Sequence, residues 1–228
     1  MVIQTVYLPA ENIRFIKEWL TYHSEIGVEH FYLYDNTGSQ FVDLGNSIAL
    51  TGKNKHGRDI ENKDVTEEEA EILKDFPVTK VKWQPMKDGQ VVYGQMEACQ
   101  HFYQNYGKGL CAFIDIDEFI VKKEDFRPSR LFQKKYDDRW NYDRVLDCKK
   151  TFEINTRNWA SKCIIDMAHW KYSCSIHYEN LKLPISESWF NHYNHTETGH
   201  QWLLENYKNI DPSWKPVPYS EVFNASSQ

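Results

Sequence analysis

A chain of 228 residues is long enough for one α/β domain and short for two full ones. Its net charge of −6 and the lack of any strongly basic stretch exclude nucleic acid as the main partner. Apolar residues make up 41% and aromatics 15%, with eight Trp and fourteen Tyr, enough for a core and for flat surfaces on which rings stack.

No window reaches the roughly 18 apolar residues of a membrane span, and Met1 to Tyr7 lacks the pattern of a secretory leader. A cytoplasmic chain with no membrane span is therefore expected. Its five cysteines, Cys99, Cys111, Cys148, Cys163 and Cys174, are odd in number and lack paired spacing, so reduced thiols are expected rather than disulfides or a zinc site. Without a leader, the sequons at Asn194 and Asn224 read as accidental.

Val2 to Leu8 is a β-branched and apolar run, a buried first strand that Pro9 ends. Ile13, Ile16, Trp19, Leu20 and Ile26 then recur at helical spacing until Gly27 closes the element. His30 to Tyr34 reads as a second strand, broken at Asp35-Asn36-Thr37-Gly38. Strand, helix and strand make a βαβ unit, whose parallel strands deliver ligand sites at their C-terminal ends.

Residues 36–77 break this alternation. From Lys53 to Asp75, 13 of 23 residues are charged, and a capping-box pattern at Thr66 to Glu69 predicts one short helix inside a solvated insertion. Val78 to Trp83 restores a strand, and Asp88-Gly89 turns the chain into a helix with a stripe of Val92, Met96, Cys99, Tyr103 and Tyr106. Gly107 and Gly109 end that helix, and Leu110 to Ile114 is a continuous apolar strand leading into Asp115-Ile116-Asp117-Glu118-Phe119. Pro128 suits the first turn of a helix through Tyr136. Tyr142 to Ile154 reads as one or two strands and Lys162 to Met167 as another. From Asp211 onward, Pro212, Pro216 and Pro218 predict an irregular tail. The expected plan is one domain over 1–210, with 36–77 inserted and 211–228 as the tail.

The acidic strand end carries the most chemistry. Three carboxylates at the exit of a buried strand are costly unless something pairs them, and a divalent cation would. If the strand stays extended, Asp115 and Asp117 point the same way while Ile116 returns to the core. Mg²⁺ or Mn²⁺ suits such oxygen donors and also takes diphosphate oxygens and water. A D-x-D at a strand end also fits a capped turn in solvent, or the nucleophile of a haloacid-dehalogenase-type phosphatase. The Glu118-Phe119 that follows, and the mid-chain position after two strand and helix passages, speak against the phosphatase.

Pro9 to Asn12, Phe15 to His23 and Gly27 to Asn36 resemble the opening of the family 92-like and family 2-like glycosyltransferases. Phe113 to Phe119 resembles their metal-binding stretch, and Asn191-His192-Tyr193 resembles a histidine-tyrosine pair near their C-terminal end. The resemblance implies a single Rossmann-like nucleotide-diphospho-sugar transferase domain of the GT-A type, with a mixed, mostly parallel central sheet flanked by helices. It also implies a nucleotide-diphosphate sugar donor, a glycan or other hydroxyl acceptor, Mn²⁺ or Mg²⁺, and inversion at the anomeric carbon. Carried over, Asp115 faces the donor and the metal, Asp117 ligates the metal and His192 is its later ligand. Asp35 then lies near the nucleoside, Gln95 near the donor, and Lys162 balances phosphate charge. Where the family commonly has Lys-Asn-Glu before its first helix, this chain has Ala10-Glu11-Asn12, and the aromatic-glycine stretch expected near Phe152 is not clear. A metal-bound carboxylate is a poor proton acceptor, so the base is sought in Glu153, Asp166 or Glu187, with Glu153 favoured. A non-catalytic carbohydrate-binding domain of the same fold is the alternative.

Overall fold

A computed structural model describes residues 1–39, 64–87, 89–137, 150–152, 161–170 and 183–193. The expected βαβ unit is present. β1 (Val2–Tyr7) leads through α1 (Pro9–Glu25) to β2 (His30–Asp35), and β1 and β2 pair in parallel from Val2↔His30 to Tyr7↔Asp35. Pro9 occupies the first turn of α1, where its missing N–H is no loss, and Ile16, Trp19 and Leu20 are buried as the spacing predicts. Gly27 follows the helix at φ 98°, a conformation that favours glycine.

α2 (Thr66–Leu73) leads to β3 (Val78–Lys82), which extends the parallel run beside β2. Two expectations for this stretch need correction. Thr66 is inside the helix rather than capping it; Asp64 Oδ1 accepts the Thr66 N–H instead, at 3.0 Å. Nor is α2 wholly solvated. Glu69 is buried, and Ile72 and Leu73 pack on the core. Residues 40–63 of the predicted insertion lie outside the described residues, as does all of the predicted tail.

Where the helix was expected to open directly, β4 (Met86–Lys87) and β5 (Gln90–Val91) pair as a small hairpin. Gly94, at φ 54°, then starts α3 (Gln95–Asn105). The stripe of α3 is rotated from the predicted one. Ala98, Cys99 and Phe102 are buried, whereas Tyr103 is exposed, because α3 packs over β1 and Trp170 rather than standing alone.

After α3, β6 (Leu110–Phe113) lies parallel to β1. β7 (Glu118–Val121) follows within five residues, then β8 (Ser129–Asp137), β9 (Lys150–Phe152), β10 (Ser161–Asp166) and β11 (Ile185–Tyr193). The helix predicted from Pro128 is β8. A proline suits the residue before a strand as well as a helix start, and β8 gains ladder partners in β10, β11 and β9 that a helix would forgo. β11 was not anticipated as a strand. Apart from the β4–β5 hairpin, the described strands form one mixed sheet in the order β3-β2-β1-β6-β10-β8-β11-β7, with β9 on β8. Pairing is parallel through β3-β2-β1-β6 and between β8 and β11, and antiparallel elsewhere.

This order forces curvature. β6 and β7 lie four strand spacings apart, about 19 Å across a flat sheet, yet five residue steps join them, about 17 Å even if extended. The linker is a tight turn, so the sheet must curl and bring β7 round toward the end of β6. β7 ends the strand order, and helix side chains cover its open edge. Trp19 Nε1 donates to Glu118 O at 2.8 Å, Tyr22 Oη donates to Ile120 O at 2.9 Å, and Ile120 N–H donates to His23 Nε2 at 3.2 Å. Backbone groups of an edge strand are thus satisfied without a neighbouring strand. Among the described helices, none is long and apolar enough to cross a membrane.

His23 can accept from Ile120 only while Nε2 is unprotonated, and its Nδ1 lies 2.9 Å from Trp19 O. Complete burial pulls its pKa down to about 3, the Trp19 carbonyl opposing. The unfolded chain then takes up a proton below about pH 6.5 that the folded chain refuses. Stability is therefore present above that pH and falls as pH drops toward 3. In urea unfolding, the wild type should lose about 2 kcal/mol more between pH 7 and pH 5 than a His23→Gln variant. An equal pH slope in the two proteins would contradict the assignment.

Candidate active site

The acidic motif does not continue the strand. β6 ends at Phe113, and a turn closes when Glu118 N–H donates to Asp115 O at 3.0 Å. Ile116 and Asp117 are its central residues, so the expected extended alternation of Asp115 and Asp117 is overturned. A carbonyl-to-amide bond three residues apart replaces the ladder that an extended chain would need. Glu118 Oε2 tightens the turn by accepting the Asp115 N–H at 2.9 Å.

Two of the acids share one ammonium and the third meets an imidazole. Lys162, fully buried on β10, donates from Nζ to Asp115 Oδ2 at 2.9 Å and stands 3.2 Å from Glu118 Oε2. Gln95, the first residue of α3, donates from Nε2 to Asp115 Oδ1 at 3.2 Å. Asp117 Oδ2 lies 3.2 Å from His192 Nε2 on β11, while His192 Nδ1 is 3.8 Å from Glu118 Oε1. The curl makes this assembly feasible, because His192 is in register with Glu118 on β7 while Lys162 comes from β10. Asp117 and Glu118 are buried; Asp115 is the more open acid.

Electrostatics follow from three acids around one ammonium. Burial pushes the Glu118 carboxyl up to about 8; Lys162 opposes this, and Asp115 and Asp117 reinforce it. Burial works against the Lys162 charge, yet Asp115 and Glu118 outweigh it and hold the ammonium protonated. Tyr93 completes the surroundings. Burial raises its pKa strongly, with Asp115 and Asp117 adding to the effect, and its hydroxyl donates to Val6 O at 3.1 Å.

Asp35 sits at the C-terminal end of β2 in a second network. Its Oδ1 accepts from Thr37 N at 2.9 Å and Thr37 Oγ1 at 2.6 Å, and its Oδ2 pairs with Lys80 at 2.9 Å. Burial would raise its pKa, but these partners hold it below the usual carboxylate value. Lys80 also binds Glu69, which accepts the Tyr7 hydroxyl. The structure thus brings Gln95, Asp115, Asp117, Lys162 and His192 together and places Asp35 in a separate cluster on the same sheet edge. Lys162 is fully buried as an internal counter-ion to Asp115 and Glu118.

Among the base candidates, Asp166 pairs with Leu110 at the far end of β6 and caps the short 3-10 turn Met167–His169. The Glu187 N–H donates to Glu124 Oε1, away from the acidic turn. Glu153 lies outside the described residues. Phe152, before it, is in register with Lys135 on β8, the same residue that registers with His192.

Sequence reasoning overlooked the structural part of Glu118 and the burial of Lys162. The signal for Lys162 was one charge opening the apolar run Cys163-Ile164-Ile165, the mark of a buried ion pair. Among the described residues, no three His, Cys, Asp or Glu side chains by themselves form a group able to hold a metal ion. The pair able to contribute two ligands is Asp117 with His192.

The model of glycosyltransferase family 92 matches residues 1–160. A glycosyltransferase family 92 protein of Ricinus communis is 53% identical over 110 residues, a stretch covering 47% of this chain and 15% of that protein. Asp35, Gln95, Asp115, Asp117, Glu118 and Glu153 fall inside the family match, whereas Lys162 and His192 lie beyond it.

In metal-free buffer the Glu118 assignment has a measurable sign. A carboxyl whose folded pKa is raised stabilises below its unfolded pKa, and that stability is lost as pH rises through about 8. The stability of wild type minus that of Glu118→Gln should therefore decline from pH 5 to pH 8, by up to about 1.4 kcal/mol per unit, and level off above. Unfolding curves with a flat or rising difference would refute a raised pKa.

Proposed function

The chain belongs to glycosyltransferase family 92, and on that premise we propose that it moves a sugar from a nucleotide-diphosphate donor to an acceptor hydroxyl. The observation that carries the reading is the Asp115–Glu118 turn at the end of β6, with His192 brought to 3.2 Å from Asp117. In this reading the domain is of the GT-A type, and the C-terminal ends of its parallel strands receive the donor.

Asp117 and His192 would hold Mn²⁺ or Mg²⁺. Two donors each about 2.1 Å from a metal and at right angles are about 3.0 Å apart, close to the 3.2 Å found between these atoms. With two protein ligands, diphosphate oxygens and water would complete the shell, as is usual for Mg²⁺. The ion, when bound, supplies neutralisation of charge on the leaving diphosphate. Asp115 has its two oxygens fixed by Lys162 and Gln95, which suits a preorganised acceptor for donor hydroxyls. The acceptor hydroxyl would lose its proton to Glu153 as it attacks in a single inverting displacement. In support, Phe152 is two strand spacings from His192 by register, roughly 10 Å of backbone separation.

Three variants test this. Nucleoside diphosphate should raise the melting temperature of the wild type only with Mn²⁺ or Mg²⁺ present, since a ligand of the native state raises apparent stability. Asp117→Asn and His192→Asn should each abolish that shift and lower turnover of the nucleotide sugar by about 100-fold or more. Glu153→Gln should lower turnover by about 10² to 10⁴ while leaving donor binding intact. A melting temperature that responds to free glycan and ignores nucleotide with metal would favour the carbohydrate-binding alternative.

A further inference from the structure

We infer that Lys162 is a positioning residue that sets the order of ligand entry, holding the site too weakly negative to capture a divalent cation until a diphosphate arrives with it. The inference rests on the proposed metal-dependent transfer and adds a role for a residue beyond the family match. Its basis is the place of one ammonium group. Lys162 Nζ is fully buried, 2.9 Å from Asp115 Oδ2 and 3.2 Å from Glu118 Oε2. It cannot leave those acids for a ligand without moving a buried charge away from its partners, which is strongly unfavourable.

The ammonium therefore acts as a fixed positive charge inside a turn whose Asp115, Asp117 and Glu118 are all acidic. Affinity for Mg²⁺ or Mn²⁺ grows with the count of negative ligands around the site. Lys162 subtracts one unit from across Glu118, whose Oε1 lies 3.8 Å from His192 Nδ1, in a buried setting where low dielectric makes each charge count for more than in water. The cation then gains most by entering with the further negative charge of a diphosphate. Such coupling is reciprocal: metal favours nucleotide as much as nucleotide favours metal. Lys162 also fixes the orientation of Asp115, shared with Gln95, so its removal both releases a carboxylate and loosens it.

Two substitutions shift the balance in opposite directions. Lys162→Met frees a unit of negative charge and should let Mn²⁺ bind without nucleotide, about tenfold or more tighter than to the wild type. Asp115→Asn leaves the ammonium with Glu118 as its remaining acidic partner and should let UDP or GDP bind without metal, about tenfold or more tighter than to the wild type. Asp115 is partly exposed and the change is isosteric, so this variant tests the idea even if Lys162→Met does not fold. Mn²⁺ binding by electron paramagnetic resonance and nucleotide binding by calorimetry on the full chain read both arms, with circular dichroism as the check on folding. Either gain supports the inference. Wild-type coupling between metal and nucleotide in the folded variants overturns it while leaving the transferase reading intact. A wild type that takes up no Mn²⁺ even with UDP or GDP overturns the metal reading and this inference together.

Discussion

The contact between the Lys162 ammonium and the carboxylates of Asp115 and Glu118 is what lets an acidic turn exist inside this fold. Three acids within four residues would repel one another at the mouth of an apolar strand, and burying any of them alone is strongly unfavourable. One cation shared by two of them resolves the conflict. It also joins the end of β6, the start of β7 and the start of β10 at one point. Breaking such a pair from one side leaves a buried charge without its partner, the situation most damaging to a folded protein.

The curl of the sheet and this ion cluster depend on each other. A flat sheet could not place β7 within reach of β6, and the cluster could not form if Glu118 were four strands away. α1 supplies the third support. Trp19 and Tyr22 donate to β7 carbonyls and His23 accepts from a β7 amide, so the βαβ unit that begins the chain also anchors the far edge of the same sheet. The neutral state required of His23 and the raised pKa of Glu118 act in opposite directions on pH. The first favours alkaline and the second acidic conditions, so the two contributions oppose each other between the unfolded pKa values of a carboxyl and an imidazole.

Local signals made part of this legible. Pro9 and the stripe of α1, the β-branched β1 and the apolar β6 each carry their own structural preference, and the parallel pairing of β1, β2 and β6 follows from them. Long-range pairing was not legible. β8 resembles a helix in isolation because Arg130-Leu131-Phe132-Gln133 suits either period, and only neighbours contributed by β9, β10 and β11 decide it. The acidic motif was recognised by its residues, but its geometry was misread. Whether Asp-Ile-Asp continues a strand or turns depends on Glu118 reaching back to the Asp115 amide and on a lysine 44 positions later than Glu118. The burial of Lys162 was not legible either, because a charge opening a strand looks solvated until its counter-ions are placed.

The two lysine clusters on the sheet edge show how the chain divides the work of making a site. Lys80 lies between Asp35 and Glu69, as Lys162 lies between Asp115 and Glu118. In each, a strand-borne ammonium turns two acids into a fixed array, so a ligand would meet oriented oxygens that need not reorganise. The second cluster is assembled from distant parts of the chain. Its acids come from residues 115–118, inside the family match, whereas the ammonium and the imidazole come from residues 162 and 192, beyond it. A turn of three acids is incomplete without β10 and β11, which insert between β6 and β7 in the strand order and bring its nitrogen partners. The strands that lie between β6 and β7 are therefore the ones that give the acidic turn its nitrogen partners.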